Sequence, residues 1–392
     1  MRRAYQLLLA SVMLLILAAC SSDKPVHTPA ATPEFTNQFS PVKAWSVSVG
    51  DGVGSYYSQL CPTVANGLVF AAARQGQLSA FNLKGQRVWQ ADVSDLPNAK
   101  QYIAEGSARL SGGLLAAYGM VYVGSENADL FAFDAKTGKL KWHQDMPGEV
   151  IAAPATGDDL LAVITNNGHL VTLDPQTGKI QWSITIDQPS LTLRGKAVPV
   201  ISNGVVILGR SNGSVSFYSE NNGQQLFNAQ LAQSEGMTQL DRLVDVDSQP
   251  VLVGNDLYAI SYNGSLMAVN LQNGQTSWKR SYSAYRDMAL SGGELFLTDD
   301  SGHLIDLDHF TGSENWQQST LSYRGVTAPA VAGNYVLVGD QEGYLYWISR
   351  DSGHFVAKIK VDSSGLYVAP VVTDNLIIVQ TRSGRLIAFK RA

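Results

Sequence analysis

The side chains that most often catalyse reactions or bind metals are sparse in this sequence and poorly spaced for either task. Its 392 residues include 6 His and 2 Cys. The nearest two histidines, His303 and His309, lie six residues apart on one predicted strand and its turn. Cys20 lies at a predicted lipidation site, which leaves Cys61 alone, so neither a disulfide nor a cysteine-based metal site can form within the chain. We therefore predict no catalytic residue, no metal and no cofactor.

The residues best suited to binding lie in two unusually long loops. Apolar and charged groups are combined there, with Leu191, Leu193 and Arg194 in the first loop and Asp245 and Asp247 in the second. Exposed aliphatic side chains contribute affinity to a protein interface, and charges set its register. The sequence predicts a protein-binding surface. The alternative is that the leucines tuck under their loop and Arg194 pairs with an aspartate across it.

The amino terminus has the form of a bacterial lipoprotein signal. Arg2 and Arg3 precede an apolar run that ends at Leu17-Ala18-Ala19-Cys20, which resembles a lipobox. This run is short for a transmembrane helix and typical of a cleaved signal. We expect residues 1–20 to be the signal peptide, cleavage before Cys20, and lipidation of Cys20 for stable anchoring. Ser21 is not Asp, which by resemblance to the sorting signals of enterobacterial lipoproteins favours the outer membrane. Residues 21–40, rich in Ser, Thr, Pro and Ala, are predicted to be a flexible tether.

Charge and composition restrict the partners of the remaining chain. The formal net charge is −5, and cleavage of the signal with Arg2 and Arg3 makes it −7. No basic stripe is present to displace counterions from a phosphate backbone, so a nucleic-acid partner is disfavoured. The composition, with 45% hydrophobic and 16% charged residues, is typical of a folded globular body.

A single pattern recurs eight times and indicates the elements that carry these loops. Each copy begins with a small residue, alternates apolar positions, and usually continues through a polar glycine turn to a Trp, from Gly76–Trp89 to the copy that starts at Gly384. Successive copies start 38 to 52 residues apart, close to the roughly 40 to 45 of a four-stranded propeller blade. Alternation with period two requires strands. Phe227 and Ala357 replace the Trp in two copies, which predicts weaker packing between blades there.

The two ends of the chain complete each other. The eighth copy stops at Ala392 without its last strand, whereas residues 42–49, around Trp45, form a strand without a blade. Pairing them closes the ring and removes two exposed sheet edges. The sequence therefore predicts an all-β fold over residues 41–392: an eight-bladed β-propeller of four-stranded antiparallel blades, closed by the amino-terminal strand.

The repeat, with its Asp-x-x-Thr-Gly-Lys turn and Trp, resembles that of pyrroloquinoline-quinone dehydrogenases, but the vicinal Cys pair associated with their cofactor is missing. Together with the lipobox, the stretches Ser190–Gly195 and Leu240–Pro250 resemble the BamB family, lipoproteins of the outer-membrane β-barrel assembly (BAM) machinery. This resemblance implies a non-catalytic scaffold that binds the POTRA domains of BamA through the residues at Leu191, Leu193, Arg194, Asp245 and Asp247. It also implies contact with other BAM components and with nascent outer-membrane proteins, at the periplasmic side of the outer membrane.

Two other functions remain open from the residues alone. A lipid-anchored quinoprotein-like enzyme or ligand sensor would use the central channel of the propeller. A cell-wall or polysaccharide-binding propeller would be retained on peptidoglycan. A propeller is a scaffold that supports many functions, so the choice depends on the site.

Overall fold

The computed structural model describes residues 27–391 as eight four-stranded antiparallel sheets. The predicted signal peptide and Cys20 lie outside the described residues. Seven sheets take four consecutive strands, and the eighth has the order β1-β32-β31-β30. The predicted eight-bladed propeller and its closure by the amino-terminal strand are therefore confirmed.

The 32 strands, in chain order, have the following bounds: β1 (Lys43–Ser48), β2 (Thr63–Ala65), β3 (Leu68–Ala72), β4 (Gln77–Asn82), β5 (Arg87–Asp92), β6 (Leu115–Ala117), β7 (Met120–Gly124), β8 (Asp129–Asp134), β9 (Leu140–Asp145), β10 (Ala155–Gly157), β11 (Leu160–Ile164), β12 (His169–Leu173), β13 (Ile180–Thr185), β14 (Val200–Ser202), β15 (Val205–Gly209), β16 (Ser214–Ser219), β17 (Gln225–Gln230), β18 (Val251–Val253), β19 (Asp256–Ile260), β20 (Leu266–Asn270), β21 (Gln275–Arg280), β22 (Ala289–Ser291), β23 (Glu294–Thr298), β24 (Leu304–Asp308), β25 (Glu314–Gln318), β26 (Ala330–Ala332), β27 (Tyr335–Gly339), β28 (Tyr344–Ser349), β29 (Phe355–Lys360), β30 (Val371–Val372), β31 (Leu376–Gln380) and β32 (Arg385–Lys390). Blade 1 is β2–β5, the following blades take four strands each up to blade 7 (β26–β29), and blade 8 is β30–β32 with β1. Two short 3-10 helices, Val93–Asp95 and Ala99–Gln101, lie between blades 1 and 2.

We call the strands of each blade A to D from the central channel outward. The B and C strands are almost fully buried, as in β11 and β12, whereas the outer D strands are largely exposed. The buried side chains form eight hydrophobic clusters, and each cluster joins two neighbouring blades. The core is therefore a ring of blade-to-blade interfaces. Because the inner strands are buried on both faces, their sequences are nearly continuous apolar runs.

Tryptophans on the D strands connect neighbouring blades. The indole nitrogen of Trp89, for example, donates a hydrogen bond to the Ala135 carbonyl of the next blade at 2.8 Å. Its ring lies against Gly138, where any Cβ would approach the indole to 2.6 Å. The φ of Gly138 is 70°, a left-handed conformation that favours glycine. The glycine of each turn thus serves both the turn and the packing of the preceding blade.

The two copies without Trp behave differently. Phe227 is 42% exposed and reaches only 3.9 Å from the Cβ position of Gly274, so packing is weaker there, as predicted. Ala357 is fully buried beside Trp347 and Phe39, so the prediction of weaker packing is wrong in blade 7. Blade 8 has no C–D turn on which a Trp at 357 could pack, because its D strand comes from the amino terminus.

The segment predicted to be a flexible tether needs correction in its second part. Residues 27–40 have no regular secondary structure but lie along the outer side of blade 7. The backbone nitrogen of Gln38 donates to the Val356 carbonyl at 2.9 Å, and Phe35 stacks on Phe355. Aromatic residues within a Ser/Thr/Pro-rich stretch were the available sign of this packing. Within residues 27–391, no helix is both long and apolar enough to cross a bilayer.

Candidate protein-binding rim

Both long loops emerge on the same face of the disc, which we call the loop face. In an up-and-down blade the D–A connections and the B–C turns share one face, and the A–B and C–D turns share the other. The 186–199 loop joins β13 of blade 3 to β14 of blade 4, and the 231–250 loop joins β17 of blade 4 to β18 of blade 5. The two predicted groups are therefore neighbours on one rim.

The first loop presents its apolar residues at the surface. Leu191 is 38% exposed, Leu193 is half-buried, and the Arg194 side chain is 44% exposed. The second loop adds further apolar surface at its tip, where Met237 and Leu240 are 97% and 60% exposed. Large aliphatic side chains in contact with water and close to charges are typical of a protein-binding surface. Leu191 is therefore not tucked under its loop, as the alternative requires.

Asp245 and Asp247 do not belong to that exposed surface. They are 0% and 5% exposed, so the expectation that their charges directly set the register with a partner needs correction. Asp245 Oδ1 instead accepts a hydrogen bond from the backbone nitrogen of Leu193 at 3.1 Å. Burial raises the pKa of Asp245, and this is opposed by Ser211 and Lys196. The carboxylate therefore holds the first loop in place from below.

Asp247 supports the same loop two residues further along. A Cβ at position 195 would lie 2.5 Å from Asp247 Oδ2, so only glycine permits this approach. Burial raises the pKa of Asp247 to about 7. The charge of Lys196 lowers this pKa in part, and the charge of Asp245 raises it further. Lys196 is itself buried and donates to Gln188 and Ser211. Its pKa is lowered by burial and raised in part by the two aspartates.

Arg194 pairs with glutamates of blade 2 and the following loop, which the sequence did not indicate. Its guanidinium lies 3.3 Å from Glu126 Oε1 and 3.5 Å from Glu149 Oε2. Glu126 also receives two hydrogen bonds from Arg74, at 2.6 and 2.8 Å. Burial opposes the ionisation of Glu126, but Arg74 and the Arg194 charge outweigh it and lower the pKa. Contacts between B–C turns of different blades leave no local pattern, so only the structure reveals them.

A Gly-x-Ser-x-Gly pattern, Gly209–Gly213, also falls beneath this rim. In hydrolases this pattern places a nucleophile on a strand-to-helix turn. Here it spans the turn from β15 to β16, and the Ser211 hydroxyl accepts a hydrogen bond from Lys196 at 2.9 Å. Ser211 is thus part of the loop support, in a setting unlike that of a nucleophile elbow.

The central channel contains a cavity of about 670 Å³. Its wall combines Lys196 and Arg286 with Asp247 and Asp287, and the inner A strands complete it. Cys61 also lines this cavity, and burial raises the pKa of its thiol to about 12, which disfavours the reactive thiolate at neutral pH. An enzyme or ligand sensor that used the channel would have to bind its ligand among these side chains of both charge signs.

One group of three potential metal ligands occurs among residues 27–391. Asp129 and Asp145 face each other across β8 and β9, and His143 lies beside them. His143 Nε2 is 2.7 Å from Asp129 Oδ1 and 3.6 Å from Asp145 Oδ1. The sequence spacing concealed this group because strand pairing, not a short motif, assembles it. A hydrogen-bonded His–Asp pair accounts for the geometry.

The fold defines a class: an eight-bladed propeller of quinoprotein-type repeats. Comparisons with known proteins agree with this class. The profile of the family described as outer membrane protein assembly factor BamB matches residues 99–318 and 319–392. The chain belongs to the BamB family.

The relatives span the whole chain. Outer membrane protein assembly factor BamB of Yersinia pestis is 40% identical over 389 residues, 98% of each chain, and that of Escherichia coli K12 is 36% identical over 380 residues, 96% of each. The crystal structure of BamB from Moraxella catarrhalis superposes with a TM-score of 0.79 at 22% identity, covering 90% of this chain and 100% of that one. A quinohemoprotein alcohol dehydrogenase from Comamonas testosteroni shares the fold alone, with a TM-score of 0.69 at 14% identity, over 92% of this chain and 78% of that one.

Proposed function

We propose that this protein is a non-catalytic scaffold of outer-membrane protein assembly that binds the periplasmic POTRA domains of BamA through the loop-face rim. Leu191, Leu193 and Arg194 would make the direct contacts, and Asp245 and Asp247 would position them. The observation that carries the proposal is an exposed apolar and cationic loop with a buried, charged foundation. Preorganised contacts of this kind bind well because little loop entropy is lost on association.

The charges of the rim support a role in choosing the partner. Arg194 is held by Glu126 and Glu149 but keeps 44% of its side chain exposed. An exposed arginine that is already oriented can donate two parallel hydrogen bonds from its guanidinium to a carboxylate of a partner. Leu191 and Leu193 beside it supply the apolar anchors that such interfaces concentrate at their centre.

The compartment and the anchor belong to the same proposal. Lipidation of Cys20 would hold the protein at the periplasmic side of the outer membrane, where it meets BamA, other BAM components and nascent outer-membrane proteins. One way to assist such clients is β-augmentation, in which an exposed D strand pairs with an unfolded client strand.

The test is the affinity of the purified chain for the periplasmic region of BamA. We expect Leu193→Ala/Arg194→Ala to raise the dissociation constant at least tenfold, since anchors at the centre of an interface carry most of its binding energy. Leu83→Ala/Arg87→Ala is the matched control, because both residues are exposed and lie at the C–D turn of blade 1 and the strand that follows, away from the rim. Equal affinity of the rim variant and wild type, with both folded, would falsify the assignment of the rim.

The enzyme alternative has a separate test. The purified chain is expected to carry no quinone and to show no dye-linked dehydrogenase activity. Retention on peptidoglycan that survives the rim substitutions would instead favour the polysaccharide-binding alternative.

A further inference from the structure

We propose that residues 27–40 are a docked strap, which makes the amino-terminal anchor leave the disc on the loop face and turns that face toward the lipid surface. The inference rests on the proposed function because it takes the anchor to be a lipid on Cys20. It adds an orientation: the rim and the membrane would lie on the same side of the disc.

The beginning of the strap is bonded to the D–A connection between blades 6 and 7. The Ala30 nitrogen donates to the Ser322 carbonyl at 2.9 Å. Arg324 returns a bond from Nη1 to the Ala30 carbonyl at 2.8 Å. The imidazole of His27 stacks on Tyr323, with 4.3 Å between ring centroids. This connection belongs to the loop face, as does every D–A connection.

The bond to Ala30 comes from a side chain that is already fixed. Arg324 is 2% exposed, and two of its nitrogens donate to Asp340 Oδ2, at 2.9 and 2.7 Å. A further bond joins it to Glu342 at 2.8 Å. Because these carboxylates hold the guanidinium in place, little side-chain entropy is lost when it binds the strap.

The middle of the strap extends the sheet of blade 7. Gln38 donates its backbone N–H to the Val356 carbonyl. The side-chain amide of Asn37 makes the two hydrogen bonds to β29 that the backbone of a neighbouring strand would make. Its Nδ2 donates to the Lys358 carbonyl at 2.9 Å, and its Oδ1 accepts from the Lys358 nitrogen at 3.0 Å. The strap runs antiparallel to β29, from the loop face to the opposite face. It covers an outer edge that would otherwise expose unpaired backbone groups.

Aromatic contacts fix the strap along the same path. Phe35 stacks on Phe355 at 5.2 Å between centroids, with an interplanar angle of 17°. Phe39 contacts Tyr335 at 5.5 Å and the edge of Trp347 at 6.1 Å. Aromatic pairs of this geometry stabilise a contact beyond the apolar area that they bury. The strap is therefore held at both ends and in the middle.

Docking shortens the distance that the anchor can span. A chain extends by at most about 3.6 Å per residue, so the seven steps from Cys20 to His27 reach about 25 Å, whereas a free tether to residue 40 would reach about 70 Å. The anchor therefore leaves from the loop face near blades 6 and 7, two to three blades around the ring from the rim. A partner bound at the rim would lie between the disc and the membrane.

The experiment measures which face is near the bilayer. The full lipidated chain, with Cys61→Ser, carries a fluorophore either at Asp300→Cys, in the B–C turn of blade 6 on the loop face, or at Asn334→Cys, in the A–B turn of blade 7 on the opposite face. Both positions are exposed. The protein is bound to phosphatidylethanolamine/phosphatidylglycerol vesicles that contain a headgroup-attached quencher.

We expect quenching at position 300 to exceed that at position 334 at least threefold. Ala30→Pro/Phe35→Ala/Asn37→Ala removes the N–H donated to Ser322 as well as the contacts in the middle of the strap, and should bring the two within about 1.5-fold. Glu34→Ala/Thr36→Ala, at two exposed positions of the strap, is the matched control and should keep the difference. Equal quenching in wild type, a difference that survives loss of the strap contacts, or a chain that does not float with the vesicles would each overturn the inference. Binding of the BamA periplasmic region by the unlipidated variants is measured in parallel, so that failure of the rim is distinguished from failure of the strap.

Discussion

Asp245→Ala should weaken partner binding although Asp245 cannot touch a partner. The residue is fully buried, and its Oδ1 accepts the Leu193 N–H at 3.1 Å. Truncation removes this bond and one of the two carboxylates that attract Lys196. The 186–199 loop would then lose the support that holds Leu193 and Arg194 in place. The effect on binding would be indirect, through the population of the binding conformation.

The size of the effect follows from the bond that is lost. A hydrogen bond to a charged group contributes about 1.5–3 kcal/mol. If this energy holds the loop in its binding conformation, the dissociation constant for the BamA periplasmic region rises about 10- to 150-fold. Asp245→Asn keeps an oxygen that can accept the Leu193 N–H, so its effect should be several-fold smaller.

The assay combines binding with hydrogen exchange. Titration of the immobilised BamA region gives the dissociation constant, and exchange at residues 189–196 reports whether the loop has become more mobile. Asp306→Ala is the control, since Asp306 is also a buried carboxylate, 1% exposed, but lies in blade 6. Wild-type affinity for Asp245→Ala, or weaker binding without faster exchange in the loop, would refute the positioning role.

Three further predictions concern stability and reactivity. Burial raises the pKa of Asp247 to about 7, so the folded state binds a proton that the unfolded state releases between about pH 4 and 7, and stability from this group falls as pH rises through that window. In urea unfolding, the free energy of unfolding of Asp247→Asn relative to that of wild type should therefore rise by about 2–4 kcal/mol between pH 4 and 7. The same pH dependence of the unfolding free energy in both proteins would contradict this. Phe227→Trp should add about 1 kcal/mol by donating an indole hydrogen bond to the Leu271 carbonyl, seen as a higher urea midpoint, and an unchanged or lower midpoint would count against this lock. Cys61, with a pKa raised to about 12, should react with iodoacetamide at pH 7.5 at least tenfold more slowly in the folded chain than in urea, and similar rates would show that the thiol is not protected.

The sequence was sufficient for the fold because each level of pattern pointed to the same answer. Period-two alternation, the Asx and glycine turns, and the unpaired strand around Trp45 together specified eight blades and their closure. The replacement of Trp by Ala357 was misleading, because its consequence depended on the missing turn of blade 8. That consequence belongs to the topology of the ring and not to the local repeat.

The sequence indicated which two loops stand out from the repeat, but not which of their side chains are exposed and which are buried. Long loops with Leu191, Leu193 and Arg194 beside carboxylates stood out against the repeat. Burial of Asp245 could not be inferred, since a loop carries no periodicity that distinguishes inside from outside. The pairing of Arg194 with Glu126 joins the connection between blades 3 and 4 to blade 2 through residues 68 positions apart, and only the assembled ring brings them together.

The most direct test of the proposed function is co-purification of the protein with BamA from detergent-solubilised outer membrane. Wild type and Leu83→Ala/Arg87→Ala are expected to recover BamA equally, whereas Leu193→Ala/Arg194→Ala should fractionate with the outer membrane at a normal level yet recover less than a tenth as much BamA. Full recovery of BamA by the rim variant would contradict the account, because the exposed end of the 186–199 loop would then not be the surface that binds it.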